Sequence, residues 1–276
     1  MLSQHNKFHY EQAKLAIEAG KNIIIDKPIT PTVAEGYELL NLAKQNNVVL
    51  SVFHNRRFDG DYLTVRDLVH STDLGRITYF ESNFNRFRPE VDQSNWRETT
   101  TDAGGVFFDL APHLVDQALD LFGPPLKVFA DIDIMRDGAQ NDDYFHLIFQ
   151  YEKCRVQLNA SAICKNTRER FVIHGTKGSF TKHGLDPQEK NLKHGMSGSS
   201  SDLGKDSDVN YGTLMTSKTI KVPTRDGDYR GFYKNVLESI QGREQLVVNP
   251  SEALFVMEVM ELCLKSSKEQ RWISVG

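Results

Sequence analysis

Three polar residues have the types that acid–base chemistry needs, a base that can take a proton and a cation beside the negative charge that then develops. His113 suits the base, because an imidazole titrates near neutral pH. Asp109 stands four residues earlier and would share its face in a helix, where it could orient the imidazole or bind a substrate hydroxyl. Lys27 closely follows Ile23-Ile24-Ile25 and would sit at the carboxyl edge of a buried strand, where open α/β sheets bind ligands. Spacing alone leaves plainer readings open. An Asp/His pair four apart can be a surface or capping arrangement, and Lys-Pro after a strand can be an ordinary turn. Asp116 reads as a ligand for substrate hydroxyls or as a solvated helix charge. Arg56 reads as a substrate contact or, with Arg57, as a partner of Asp59 and Asp61. Trp96 reads as pocket lining or as packing.

The elements that must position these residues follow from periodicity. His9 to Ala19 has helical spacing at Ala13, Ala16 and Ile17, with Gly20 as a stop. Ile23 to Ile25 and Val48 to Phe53 read as strands buried on both faces. Between them Thr30-Pro31 is expected to open a helix with apolar positions Val33, Leu39, Leu40 and Ala43. This alternation marks a doubly wound α/β arrangement. After a helix near Asp61 to His70 the pattern changes to apolar/polar alternation at Ile77–Phe87, Val128–Ile134, Phe145–Phe149, Arg155–Asn159 and Phe171–His174. That predicts a large, mostly antiparallel sheet with one face covered, interrupted by a helix near Asp109 to Phe122. Residues 193–212, rich in Gly, Ser and Asp, predict a mobile loop. Two helices are expected to finish the chain, the last from a capping-box-like Asn249-Pro250-Ser251-Glu252. The expected fold class is α/β plus α+β. Residues 1–55 form part of a Rossmann-like domain, and 56–276 form a substrate and oligomerisation domain.

Composition excludes some partners. With 33 basic against 37 acidic residues in 276, no basic surface advertises nucleic acid or an anionic membrane. Cys154, Cys164 and Cys263 form no CxxC pair, and no histidine cluster has zinc spacing. They read as small buried apolar residues in a reducing, cytoplasmic setting.

Three patches in order carry a resemblance to the glucose-fructose oxidoreductase/inositol dehydrogenase (Gfo/Idh/MocA) family. The first runs from His9-Tyr10-Glu11-Gln12-Ala13 through Glu18-Ala19-Gly20-Lys21 to Asp26-Lys27-Pro28. The second is His54-Asn55-Arg56-Arg57-Phe58-Asp59. The third runs from Gly104-Gly105 through Asp109 and His113 to Asp116, and His174-Gly175-Thr176-Lys177-Gly178-Ser179 matches a further family turn. Phe53 to Arg57 and Gly184-Leu185-Asp186-Pro187-Gln188-Glu189 resemble the NADP-dependent scyllo-inositol dehydrogenase branch. Two departures stand out. Gln4-His5-Asn6 replaces the family's T-P-N, and Asp26 replaces the commoner Glu.

The resemblance implies an oxidoreductase moving hydride between NADP or NAD and a cyclic polyol or sugar, assembled as a homodimer or homotetramer through the sheet. It implies catalytic roles for Lys27, Asp109 and His113, and cofactor contacts from Asn6, Asp26, Lys27 and Pro28. Arg56, Trp96 and Asp116 are the candidate substrate contacts. Two other readings compete, a non-enzymatic sensor on the same fold and an inactive remnant. A complete nucleotide-binding domain of this type opens with a strand and a GxGxxG turn, and no GxGxxG occurs here. The expectation is that the domain's first half is missing, that this chain binds the cofactor poorly, and that Ile23 to Ile25 present an unpaired edge.

Overall fold

Helix α1 (His9–Glu18) turns His9, Ala13 and Ile17 inward, one residue per turn, against β1 (Ile23–Ile25). α2 (Val33–Gln45) leads to β2 (Leu50–Val52), which pairs in parallel with β1. α2 starts beyond the expected Thr30-Pro31. Its cap is Thr32, whose hydroxyl accepts from Glu35 N while the Glu35 carboxylate accepts from Thr32 N at 3.0 Å. Thr30 is buried instead, its hydroxyl donating to Thr32 O at 2.7 Å. The edge of β1, expected to be unpaired, carries a parallel bridge. Leu2 N donates to Ile24 O and Asp26 N to Leu2 O, both at 2.8 Å, and Ile23 and Ile25 are buried.

These are coordinates of a computed structural model. They describe every residue except 95, 100–103 and 166–168, and of Trp96 and Arg97 the backbone alone. Beyond β2 come α3 (Gly60–His70), β3 (Ile77–Asn83), α4 (Trp96–Thr99) and α5 (Gly105–Phe122). β4 (Lys127–Asp133), β5 (Tyr144–Gln150), β6 (Arg155–Ser161), β7 (Phe171–Gly175) and β8 (Ser179–Lys182) follow. α6 (Gln188–Lys193), β9 (Gly212–Met215), β10 (Thr219–Val222), α7 (Arg230–Ile240), α8 (Pro250–Glu269) and β11 (Ile273–Ser274) complete the chain.

Nine strands form one sheet in the order β10-β9-β8-β7-β3-β6-β5-β4-β11, antiparallel throughout except for β3 beside β6. Alternation decides which face is covered. In β5, Phe145, Leu147 and Phe149 are wholly buried, and their neighbours are not. They join α5 and α8 in the main core, which includes Leu114, Val115, Val259 and Cys263. α8 also reaches the parallel unit, where Ala253 and Leu254 pack with Ile17, Ile25 and Leu39. α2 meets α8 so closely at Gly36 that an added Cβ would stand 2.1 Å from Leu254 Cδ2.

Two further expectations are corrected. α5 begins at Gly105, not near Asp109, and contains Pro112. The last helix starts where expected, at Pro250 with Asn249 as its cap accepting from Ser251 N, but Glu252 is taken by Arg57 and the short β11 follows that helix. Segment 193–212 is largely exposed, as a loop would be; within it Leu203 is buried and Asp206 accepts from the fully buried Lys182 at 2.8 Å. Cys154 and Cys263 are buried as expected, whereas Cys164 is half-exposed.

Candidate active site

β1 ends at the mouth of a cleft of about 1,100 Å³, and Asp26 and Lys27 line it there. Asp26 Oδ1 accepts from Lys27 N at 2.9 Å, closing the turn locally. Behind it His9 is fully buried. Its Nδ1 lies 2.8 Å from Pro28 O and its Nε2 3.1 Å from Gln4 O, so α1 anchors the Lys27–Pro28 turn. The peptide bond between those two residues is cis.

Across the cleft, α5 presents Asp109 and His113. Pro112 supplies no N–H to the preceding turn. In that turn Lys27 Nζ donates to Asp109 O at 2.5 Å and stands 3.4 Å from Asp109 Oδ1. Arg86 Nη1 stands 3.4 Å from the other carboxylate oxygen. Asp109 thus places the lysine. It does not hold the imidazole through Nδ1, since His113 Nδ1 is buried without a hydrogen-bond partner. Burial, and then the charges of Lys27 and Arg56, hold the His113 imidazole well below its ordinary range. It is therefore neutral at neutral pH and able to accept a proton. Burial likewise lowers His54, whose Nδ1 lies 3.7 Å from Asp116 Oδ2.

The remaining candidates are not all brought to this cleft. Arg56 lines it, buried, with ion pairs to Asp59 and Glu189 and a 3.2 Å hydrogen bond to Tyr229 Oη. Asp116 does not line it. Its carboxylate is 1% exposed and accepts from Arg57 Nε at 2.9 Å and Nη2 at 2.7 Å, so it is neither a solvated charge nor open to a ligand. Arg57 pairs with Asp116, Asp120 and Glu252, not with Asp59 or Asp61. Asn6 and Pro28 line a separate, largely apolar cavity of about 450 Å³ with His54, Phe108 and Pro112. The side chain of Trp96 lies outside the described residues.

Sequence reasoning passed over Arg86, Arg170 and Glu189 at the cleft, and His9 and His54 behind it. The motif stretches contain both histidines and Glu189, but nothing in their spacing says which cavity they meet. Among the described residues no cluster of three His, Cys, Asp or Glu could hold a metal ion. No helix there is long and apolar enough to cross a membrane.

Two family models match the chain. One, described as the NAD-binding Rossmann fold of an oxidoreductase family, matches residues 2–54. The other, the C-terminal alpha/beta domain of the same family, matches 66–275. The Escherichia coli oxidoreductase YdgJ is 41% identical over 273 residues, covering 96% of this chain and 77% of YdgJ. The Bacillus subtilis NADP-dependent scyllo-inositol 2-dehydrogenase IolW is 38% identical over 270 residues, 96% of this chain and 75% of IolW. The solved structure of the oxidoreductase yvaA from Bacillus subtilis superposes with a TM-score of 0.95 at 37% identity, covering 99% of this chain and 79% of that one.

Proposed function

The chain belongs to the Gfo/Idh/MocA oxidoreductase family, and we propose that it moves hydride between NAD(P) and a ring carbon of a cyclic polyol or sugar. The observation that carries this reading is the meeting of Lys27 and His113 on one cleft, with Asp109 fixing the lysine. The residues present fit the reactive end of such a cofactor. Asp26 and Lys27 close β1 at its carboxyl end, and His113 across the cleft keeps a buried ring nitrogen with no partner. Asp26 and Lys27 would hold that end, with Asn6 and Pro28 on the far side of the turn. When bound, NAD(P) supplies the hydride acceptor or donor.

The chain's own residues manage the oxygen. Lys27 places its ammonium at the substrate hydroxyl and stabilises the alkoxide that forms. His113 takes the hydroxyl proton and returns it in the reverse direction. Arg56 is held rigid by Asp59, Glu189 and Tyr229 and presents a fixed donor wall to the substrate. IolW, by its name, acts on scyllo-inositol, which supports a ring polyol as the substrate.

The test is reduction of NADP⁺ by scyllo-inositol in wild type, His113→Ala and Lys27→Ala. Each variant should lose about 10²-fold or more in kcat/KM. The imidazole acts as base in its neutral form and its pKa is lowered. The acidic limb of the wild-type profile should therefore fall below the ordinary histidine range, and it should vanish in His113→Ala. Near-wild-type turnover in either variant removes the assignment.

Self-association through the outer face of the nine-stranded sheet belongs to the same reading. That face carries Tyr79 stacked on His174 and Phe129 against Trp272. Symmetric pairing through one patch is the usual closure. Light scattering at micromolar concentration should show a dimer or tetramer; a monomer would refute it. The three cysteines are free thiols, in keeping with the reducing cytoplasm.

A further inference from the structure

The cleft is more basic than the chain that builds it. Among the described residues lining it, eight lysines and arginines face five aspartates and glutamates, in a chain of net charge −4. The carboxylates are largely engaged from within. Glu189 is taken by Arg56 and Lys193. Asp206 is compensated from beneath by Lys182 at 2.8 Å. Asp186 accepts from Gly60 N at 2.7 Å and Gln188 N at 2.9 Å, and burial pushes its carboxyl up to about 6. Asp109 is shared by two cations, Lys27 and Arg86, each at 3.4 Å.

Arg86 and Arg88 stand out within this excess. The chain after β3 stays extended beside β6. Phe84 N donates to Asn159 O, Arg86 N to Ser161 O and Arg88 N to Ala162 O, at 2.8, 2.8 and 2.6 Å. Phe84, Arg86 and Arg88 all line the cleft, together with Asn83 and Asn85. The Phe84 ring carries three guanidinium groups, Arg56 at 5.3 Å, Arg86 at 5.4 Å and Arg170 at 5.2 Å. Arg56 and Arg170 are buried and already pair with Asp59, Glu189 and Asp61. Arg86 and Arg88 are the more accessible members. Burial and the nearby charges of Arg88 and Arg56 lower the Arg86 pKa, although Asp109 opposes this.

We propose that the cleft takes a polyol or sugar bearing an anionic group, a carboxylate or a phosphate, which Arg86 and Arg88 clasp while Lys27 and His113 address a hydroxyl. This rests on the oxidoreductase reading and narrows its substrate. Two guanidinium forks match the paired oxygens of either anion, with hydrogen bonds that a neutral hydroxyl cannot equal. Arg86 and Arg88 stand on the segment that follows β3, and Asp109 lies between Arg86 and Lys27, so an anion held by the two arginines would sit beside the hydroxyl that Lys27 and His113 address.

Calorimetric titration of the whole 276-residue chain tests this without turnover. The probes are galacturonate, glucose 6-phosphate and glucose, at about 20 mM and about 200 mM salt. At least one anionic probe should bind about 10-fold or more tightly than glucose, and more weakly at the higher salt. Arg86→Gln and Arg88→Gln should each remove most of that preference. The carboxylate and phosphate arms identify which anion the cleft takes. Arg88 is exposed, so its variant carries the test if Arg86→Gln does not fold. Glucose binding as tightly as both anions, no binding of either anion, or an unchanged preference in a folded Arg88→Gln overturns the proposal. Oxidation of neutral polyols without any anion preference would sink this inference and leave the oxidoreductase reading standing. Anion binding that needs both arginines, with no hydride transfer to any substrate, would support the inference and sink that reading.

Discussion

Removing the Asp116 carboxylate should unfold this protein more readily rather than weaken its hold on substrate. Arg57 and Asp116 are 3% and 1% exposed and share two parallel hydrogen bonds of 2.9 and 2.7 Å. Breaking such a buried pair from one side costs about 3–5 kcal/mol, because the remaining charge stays in a poor solvent. In Asp116→Ala, Arg57 would keep Glu252 at 2.9 Å and Asp120 at 3.3 Å, both in more exposed positions. The low end, about 3 kcal/mol, is therefore expected, or a fall in Tm of roughly 6–10 °C for a chain of this size. Burial alone would raise the Asp116 pKa, but Arg57 and then His54 outweigh it and hold the carboxyl below its usual range. A depressed folded-state pKa gives stability that is present above the unfolded value and lost as pH falls through the folded one. The gap between wild type and Asp116→Ala should thus be full at pH 7 and should close at acid pH, below about 4. Thermal melts by circular dichroism across that range would show it. A Tm within about 2 °C of wild type at pH 7, with a raised KM, would refute the reasoning and return Asp116 to the substrate.

Gly105 sits at φ +89°, and a Cβ there would stand 2.1 Å from Asp142 Oδ2. Gly105→Ala should cost about 2 kcal/mol or more and lower kcat by tilting α5, measured by denaturant melts alongside turnover; an unchanged melt would contradict it. Asp142 accepts from Phe107 N at 2.5 Å, yet burial pushes its carboxyl up to about 6. For a raised carboxyl the sign reverses, with stability greatest below the unfolded pKa and lost as pH rises through about 6. Asp142→Asn keeps the acceptor and removes the charge. It should flatten that loss and stabilise the protein by about 1 kcal/mol at pH 7.5, discounting for partial exposure; a destabilised variant would show the charge is needed.

What could be read from residue order was whatever had a local cause. The sheet announced itself because Phe145, Leu147 and Phe149 alternate with half-exposed neighbours, a period imposed by one covered face. Lys27, Asp109 and His113 were singled out by the motif stretches they lie in, since type and spacing alone left plainer readings open, and Asp109 proved to hold the lysine rather than the imidazole through Nδ1. The start of α2 was misplaced although its signal was present. Thr32 with Glu35 three residues on makes the capping box, and Pro31 drew attention to the wrong threonine. Asp116 was beyond reach in principle. Its partner Arg57 lies 59 residues away, and no periodicity encodes a long-range ion pair. The same holds for Lys182 with Asp206, a pair that ties one residue of the expected loop to β8.

The double allegiance of α8 bears on how this chain can be made. Ile17, Ile25 and Leu39 share their cluster with Ala253 and Leu254, more than two hundred residues downstream. On a ribosome adding about 5–20 residues per second, residues 13–52 pack on one another but wait on the order of ten seconds or more for the contact with α8. During that interval the nascent Ile23–Ile25 strand can find other strands before it finds its own helix. Closing so long a loop is also slow in refolding from denaturant, because chain entropy must be lost before the contact rewards it. Residues 253 and 254 are thus the last stitches of a seam opened at the first helix.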